Sequence, residues 1–167
     1  ERRALAEHLR GICHEIGFVV VTGHGLGSST IDDVFTLMDR FFALPADNKA
    51  LIDKARSPHF RGWEAVGAEQ TNNRRDIREQ IDLWSEWPEH QGDGPAYLNL
   101  LGPNQWMPEE LLPGSRLVMG RWFDELGALA NDLLGLLPMG LGRSEDHLVT
   151  YFGDTPMSLT KRITSPP

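Results

Sequence analysis

Apolar residues recur every three or four positions in three parts of the chain, which is the spacing of an amphipathic helix. The first pattern predicts a helix over residues 2–16. The second begins at Ser28 or Ser29, either of which can cap its N-terminus, and ends near Pro45. The third and longest runs from about 116 to 137. The apolar stripes consist of Leu5, Leu9, Ile12, Cys13 and Ile16, then Ile31, Val34, Phe35, Met38 and Phe42, then Met119, Trp122, Phe123, Leu126, Ala130, Leu133 and Leu137.

Shorter apolar runs predict strands. Residues 18–22 are rich in β-branched side chains and too few for a helix, so we expect a buried strand that ends at Gly23. In residues 81–84, Ile81 and Leu83 alternate with Asp82 and Trp84, as the side chains of an edge or half-buried strand do. Residues 157–164 predict a final strand. Between the last two, residues 86–115 carry frequent Gly and Pro and predict a long connection.

Length and charge narrow the possible functions. The chain has 167 residues, 40% of them hydrophobic, which suits one compact domain or part of one. A net charge of −8 repels phosphate backbones and anionic lipids, so nucleic-acid and membrane-surface partners are disfavoured and a small-molecule partner is favoured. The single cysteine, Cys13, cannot form an internal disulfide, and no apolar run approaches the roughly 20 residues that span a bilayer. These features favour a reducing, cytoplasmic compartment.

Motifs for metals and nucleotides are missing from the sequence. None of the six histidines begins an H-x-D or H-x-E motif, which would place two metal ligands on one side of a strand. Zinc-type spacings are absent as well, so no metal or catalytic residue is predicted within the chain. The GHGLG segment at 23–27 lies between a predicted strand and a predicted helix, but it lacks both G-x-G-x-x-G and the P-loop pattern. A tight turn in which His24 caps backbone groups is therefore favoured over nucleotide binding.

The predicted final strand carries a lysine on an otherwise apolar face. Under period-two alternation, Lys161 shares that face with Met157, Leu159, Ile163 and Ser165. An unpaired ammonium is costly to bury, so Lys161 is expected to pair with an acid, to extend to solvent or to bind an anionic ligand. The residues alone favour pairing or exposure and leave the third outcome open.

Several segments, in their order and spacing, resemble one enzyme family. They are GFVVVTGHGL at 17–26, FFALPADNKA at 41–50, RGW at 61–63, D-x-x-E at 76–79 and MSLTKRITSPP at the C-terminal end. Together they resemble the N-terminal half of the isopenicillin-N-synthase-like Fe(II)/2-oxoglutarate-dependent dioxygenases. The resemblance implies a mixed α/β fold class, with a helix-rich N-terminal region plus the first strands of a double-stranded β-helix, or jelly roll. That fold needs eight strands, so it would be incomplete in this chain.

The resemblance also implies an activity for the intact parent protein. Residues 1–167 would be a single domain or part of one, and the family's H-x-D metal motif would follow Pro167. The parent would bind Fe(II) and 2-oxoglutarate and use O₂ to oxidise a small-molecule substrate. This segment alone would bind neither cofactor and would be inactive.

Members of this family use matching positions to line the substrate or cosubstrate pocket. Ser165 stands where the family commonly has Tyr or Phe. For Trp63, packing in the core is an equally weighted alternative. Asp76 and Glu79 are expected on a solvated or salt-bridged face. The implied pocket residues are Lys161, Ile163, Ser165, Arg61, Trp63 and Glu69.

Two further hypotheses belong to other functional classes. The chain could be a catalytically inactive, truncated family member that acts as an interaction or scaffold domain. It could also be an unrelated helical binding module, which would be favoured only if the terminal strand pairs with nothing.

Overall fold

A three-stranded antiparallel sheet backed by helices forms the fold, in a computed structural model that describes residues 1–90, 93–152 and 156–165. Short 3₁₀ turns connect several of the regular elements. None of the described helices is both long and apolar enough to cross a membrane. The helices are α1 (Arg2–Glu15), α2 (Ser28–Phe42), α3 (Ala46–Lys49) and α4 (Ser115–Gly140), and the strands are β1 (Gly62–Glu64), β2 (Gln70–Thr71), β3 (Arg74–Arg75), β4 (Glu79–Trp84) and β5 (Leu159–Thr164).

The three long helices confirm the predictions from apolar periodicity. Helix α1 ends one residue before the predicted boundary, and α4 extends three residues further, through Pro138. The predicted serine cap of α2 is wrong, because Gly27 is the N-cap residue and no side chain caps it. Ser28 already lies inside the helix.

The main sheet has the order β1-β4-β5, and both pairs of neighbours are antiparallel. Strand β4 is therefore central and is buried along most of its length, which corrects the prediction of an edge or half-buried strand. The prediction missed β1, because three residues are too few to show a period. Strand β5 pairs with β4 over six residues, so the condition that would favour an unrelated helical module is not met.

One other local prediction differs from the structure, and one small element was not predicted. Residues 18–22 form no strand and lie at the surface, where Phe18 is 71% and Val20 is 81% exposed. A β-branched run forms a ladder only when a partner strand is present, and none pairs with it among the described residues. The polar loop after α3 contains the small hairpin β2–β3, whose turn residues Asn72 and Asn73 both have the positive φ of a type I′ turn.

The hydrophobic core lies between one face of the main sheet and helices α2 and α4. Side chains from β1 and β4 meet the inner stripes of the two helices, and a smaller cluster joins α1 to the C-terminal half of α4. The opposite face of the sheet is consequently free to carry polar groups. The larger cluster contains Val34, Leu37, Met38, Phe41, Ile52, Trp63, Ile81, Leu83, Met107, Leu112 and Met119.

Candidate functional site

Polar and charged side chains occupy the face of the main sheet opposite the core. Strand pairing places Asp82 opposite Lys161, and Gln80 opposite both Glu64 and Ile163. Because side chains alternate along a strand, these five residues share one side of the sheet. We call this set, Glu64, Gln80, Asp82, Lys161 and Ile163, the polar face.

A buried ion pair lies at the centre of the polar face. Lys54 Nζ donates hydrogen bonds to Asp82 Oδ2 at 2.6 Å and to Glu64 Oε2 at 2.9 Å. Burial by itself lowers the pKa of Lys54, but the hydrogen bonds and charges of Asp82 and Glu64 outweigh it and hold the pKa above its ordinary 10.5. Gln80 Nε2 also donates to Glu64 Oε2, at 2.5 Å. Lys54 is therefore a charged, fixed cation beneath the polar face.

Lys161 lies beside this pair but is less tightly held. Its Nζ is 3.5 Å from Asp82 Oδ1 and 3.7 Å from Glu69 Oε1, contacts too long for good hydrogen bonds, and Asp82 Oδ1 accepts no hydrogen bond from any described residue. The Lys161 side chain is 32% exposed. The structure thus combines pairing with partial exposure, the two outcomes that the residues favoured. It leaves the N–H groups of an accessible ammonium free to meet an added acceptor.

Glu69 reaches the polar face from the loop before β2. Arg78 Nη2 donates to its Oε2 at 2.9 Å, and this hydrogen bond, acting against burial, lowers the pKa of Glu69 below its ordinary 4.5. Glu69 is therefore anionic at neutral pH and faces Lys161 as a charge. Asp76 also pairs with Arg78, at 2.9 Å, as predicted for a salt-bridged face.

Glu79 is salt-bridged as well, but on the core side of the sheet. Its carboxylate accepts a hydrogen bond from Lys49 Nζ at 2.7 Å and another from Trp63 Nε1 at 2.7 Å. Glu79 belongs to β4 and alternates with Gln80, so it points to the core side of the sheet rather than to solvent. Its role is to neutralise Lys49 inside the fold.

Arg61 and Trp63 lie in the interior, behind the polar face. Arg61 is 0% exposed, and its Nη1 donates to the carbonyl oxygens of His59 at 2.7 Å and Leu100 at 2.6 Å. Trp63 belongs to the larger core cluster. The structure therefore brings together Lys161, Ile163 and Glu69 of the predicted pocket residues. Arg61 and Trp63 instead lie in the interior, where Arg61 cross-links loops and Trp63 packs in the core.

The remaining predicted positions lie along β5 and in the loop after α1. Ile163 is exposed on the same side as Lys161, which confirms the alternation predicted for this strand, and Ser165, the residue after β5, is exposed too. The terminal prolines 166–167 of the MSLTKRITSPP segment lie outside the described residues. In the GHGLG segment His24 Nδ1 accepts a hydrogen bond from Leu26 N–H at 3.1 Å, which confirms the tight turn capped by His24.

Sequence reasoning missed Lys54 and Asp82, the centre of the site. Their side chains meet although they are 28 positions apart, and Lys54 lies in a 3₁₀ turn with no periodic pattern. A usable signal did exist for Asp82, since a lone acid between Ile81 and Leu83 in a strand predicts a buried or paired carboxylate. Across residues 1–90, 93–152 and 156–165, the structure contains no group of three His, Cys, Asp or Glu side chains arranged to hold a metal ion.

Comparison with known proteins identifies the family. Residues 1–109 match the family model described as the N-terminal region of non-haem dioxygenases, named for a dioxygenase in morphine synthesis. The chain belongs to this dioxygenase family. The chain is 31% identical over 163 residues to the 2-oxoglutarate-dependent dioxygenase frbJ of Dothideomycetidae sp., covering 98% of this chain and 44% of that protein. It is 32% identical over 166 residues to the 2-oxoglutarate-dependent dioxygenase ecdK of Aspergillus rugulosus, covering 89% and 47%.

Solved structures show the same fold. A full-length Neurospora crassa protein, crystallised in complex with alpha-KG, superposes with a TM-score of 0.79 at 20% identity, covering 99% of this chain and 49% of that one. A Caulobacter crescentus protein assigned to the 2OG-Fe(II) oxygenase family superposes with a TM-score of 0.81 at 21% identity, covering 100% of this chain and 53% of that one. This dioxygenase N-terminal region therefore spans about half the length of the proteins it matches. Its fold class is the predicted mixed α/β region with the first strands of a jelly roll.

Proposed function

We propose that this chain is the N-terminal helical region and first barrel strands of an Fe(II)/2-oxoglutarate-dependent oxygenase, and that residues 1–167 form part of one domain in a longer parent. The parent would oxidise a small-molecule substrate with O₂. The main support is the polar face, where an accessible lysine on the last strand lies above a fixed network of buried charges. The family match supplies the chemistry that such a wall would serve.

Each predicted pocket residue has a place in this proposal. Lys161 contacts an anionic group of the cosubstrate or substrate, and a carboxylate suits its free N–H groups. Ile163 and Ser165 line the same wall, and Glu69 orients Lys161 from the loop. Arg61 and Trp63 support the wall from behind.

The described residues do not fit an iron site. The described part contains no facial set of ligands, so we assign the metal to the other half of the parent. Bound there, Fe(II) would supply the oxidising chemistry. We also propose a cytoplasmic location and no nucleic-acid or membrane partner, supported by the single cysteine and the net charge of −8.

Turnover of 2-oxoglutarate by the full-length gene product tests the activity. We expect consumption of 2-oxoglutarate that requires added Fe(II) and stops when iron is chelated. Succinate and CO₂ release would be followed with a panel of small molecules. If the complete gene product consumes no 2-oxoglutarate with iron present, the oxygenase proposal is contradicted.

Substitution of Lys161 tests the role of the polar face. We expect K161M in the full-length protein to raise the KM for an anionic ligand by roughly 10-fold or more, because a charge-assisted hydrogen bond contributes about 1.5–3 kcal/mol. K161R should retain part of the affinity. R162M is the matched control, since Arg162 is the next residue of β5 and its guanidinium lies 4.2 Å from the Phe35 ring centroid on the helical side. Equal effects of K161M and R162M would contradict a specific role for Lys161.

The second candidate is a catalytically inactive interaction domain. The exposed apolar side chains of Phe18 and Val20 favour it, because such groups form contacts with another polypeptide. The codons that follow Pro167 in the gene distinguish the two candidates. A downstream H-x-D motif supports the oxygenase, and a stop codon supports the interaction domain.

A further inference from the structure

Phe60 has a backbone conformation that phenylalanine rarely adopts. Its φ of 62° lies in the left-handed region that favours glycine, and the residue is 56% exposed. The ring is a member of neither described core cluster, so burial does not offset the strain. Residues held in such conformations concentrate at binding and catalytic sites.

The ring of Phe60 adjoins the polar face through Lys54. Lys54 Nζ lies 3.7 Å from the ring centroid, and the same nitrogen donates to Asp82. The ammonium therefore covers part of the ring while the rest remains accessible. Within residues 60–64, Phe60 is the exposed member, whereas Arg61 and Trp63 are buried.

A cleft of about 360 Å³ opens beside this ring. Phe60, Lys54 and Glu64 form its aromatic and charged walls, and the small side chains of Ala65 and Ala68 leave its space free. The volume falls at the lower end of the range for small-molecule sites. The cleft can therefore accept one ring of a larger substrate.

We propose that Phe60 is a specificity-determining residue that stacks against a flat, uncharged group of the substrate. The inference rests on the proposed function, since the substrate is that of the parent oxygenase. A flat group gains offset stacking on the open part of the ring. The Lys54 ammonium already lies over the ring, so the position that a cationic group would take on that face is filled.

Binding of two matched probes to the anaerobic full-length protein, with 2-oxoglutarate present, tests the proposal. Benzamide and cyclohexanecarboxamide share size and polar group, and only benzamide is flat. We expect wild type to bind benzamide at millimolar concentration in ligand-detected NMR. F60L should weaken the binding of benzamide by about three- to ten-fold, because one stacking contact is lost. The affinity for cyclohexanecarboxamide should not change. F60Y should retain the preference.

Thermal unfolding of F60G separates binding from folding. Glycine removes the left-handed strain, but it also removes the ring over Lys54 and gives the unfolded chain more freedom, so we expect these effects to offset one another and the unfolding temperature of the full-length protein to change little. A clear fall would show that the ring is a packing residue and would overturn the proposal. Equal benzamide affinity in wild type and F60L, or no benzamide binding to wild type, would overturn it too. If F60L loses benzamide binding while the wild-type protein shows no 2-oxoglutarate turnover, the proposal for Phe60 would stand and the oxygenase proposal would be contradicted.

Discussion

The substitution K54M is expected to lower the free energy of unfolding of the full-length protein by about 3–5 kcal/mol, because it leaves buried carboxylates without their cation. Asp82 is buried and accepts its short hydrogen bond from Lys54, while the nearest other cation, Lys161, lies 3.5 Å away. Glu64 would keep its hydrogen bond from Gln80 but lose the second donor. Chemical denaturation of wild type and K54M measures the difference.

Two controls define what this loss means. The double variant K54M/D82L removes both charges, and we expect it to be more stable than K54M, since an uncompensated buried charge costs more than a missing pair. The Arg121–Asp33 pair is a matched surface case, with side chains 41% and 49% exposed. R121M should cost within about 1 kcal/mol. A K54M variant as stable as R121M would contradict the structural role of Lys54.

The pH dependence of this contribution follows from the direction of the pKa shift. The pKa of Lys54 is raised in the folded state, mainly because the attraction of Asp82 and Glu64 exceeds the effect of burial. The folded state therefore holds the proton more tightly than the unfolded state. The stability difference between wild type and K54M should be complete below pH 10.5 and should decline as pH rises through the higher folded-state pKa. A difference that disappears on acidification from neutral pH to pH 6 would contradict this account.

The substitution G62A is expected to destabilise the full-length protein by about 3–5 kcal/mol, in the range reserved for severe backbone or packing conflicts. Gly62 has a φ of 123°, and a Cβ there would lie 2.2 Å from the carbonyl oxygen of Ile52 and 2.6 Å from Gln105 Nε2. That amide donates to Asp53 O at 2.9 Å and to Arg61 O at 2.8 Å. An alanine would therefore separate β1 from the turn that carries Lys54.

Gly67 is the matched control for Gly62. It also has a positive φ, 79°, but the nearest atom to an added Cβ is Arg75 Cδ at 3.6 Å, an ordinary contact. G67A should cost only the left-handed backbone strain, about 1–2 kcal/mol. Thermal unfolding of the two variants compares strain alone with strain plus a backbone clash. Equal losses would show that the close approach at Gly62 does not constrain the fold.

The contrast between α4 and the run 18–22 explains why only part of the fold is predictable. The α4 stripe depends on hydrogen bonds within the helix, so its extent is visible in local periodicity. The run 18–22 has the composition of a strand, but a strand needs a neighbour. Among the described residues that neighbour is not present, and the run is exposed.

The candidate site, too, could be predicted only in part. Lys161 and Glu69 were predicted as pocket residues, and the structure brings them within 3.7 Å of each other. Lys54 could not be predicted, because a 3₁₀ turn carries no periodic signal, and the left-handed backbone of Phe60 is not visible in the sequence either. Arg61 was also predicted as a pocket residue, yet its side chain is fully buried and donates to the carbonyl oxygens of His59 and Leu100.

The amino-acid sequence by itself determined the long helices, the alternation of the final strand and the family, because each depends on residues that are close in the chain or in a recurring order. Only the tertiary structure decided which charges meet. Lys54, Asp82 and Lys161 come from a turn and two strands, and their contacts follow from sheet register and from the close approach at Gly62. Electrostatic interactions depend on distance and burial, and neither is encoded in any local segment.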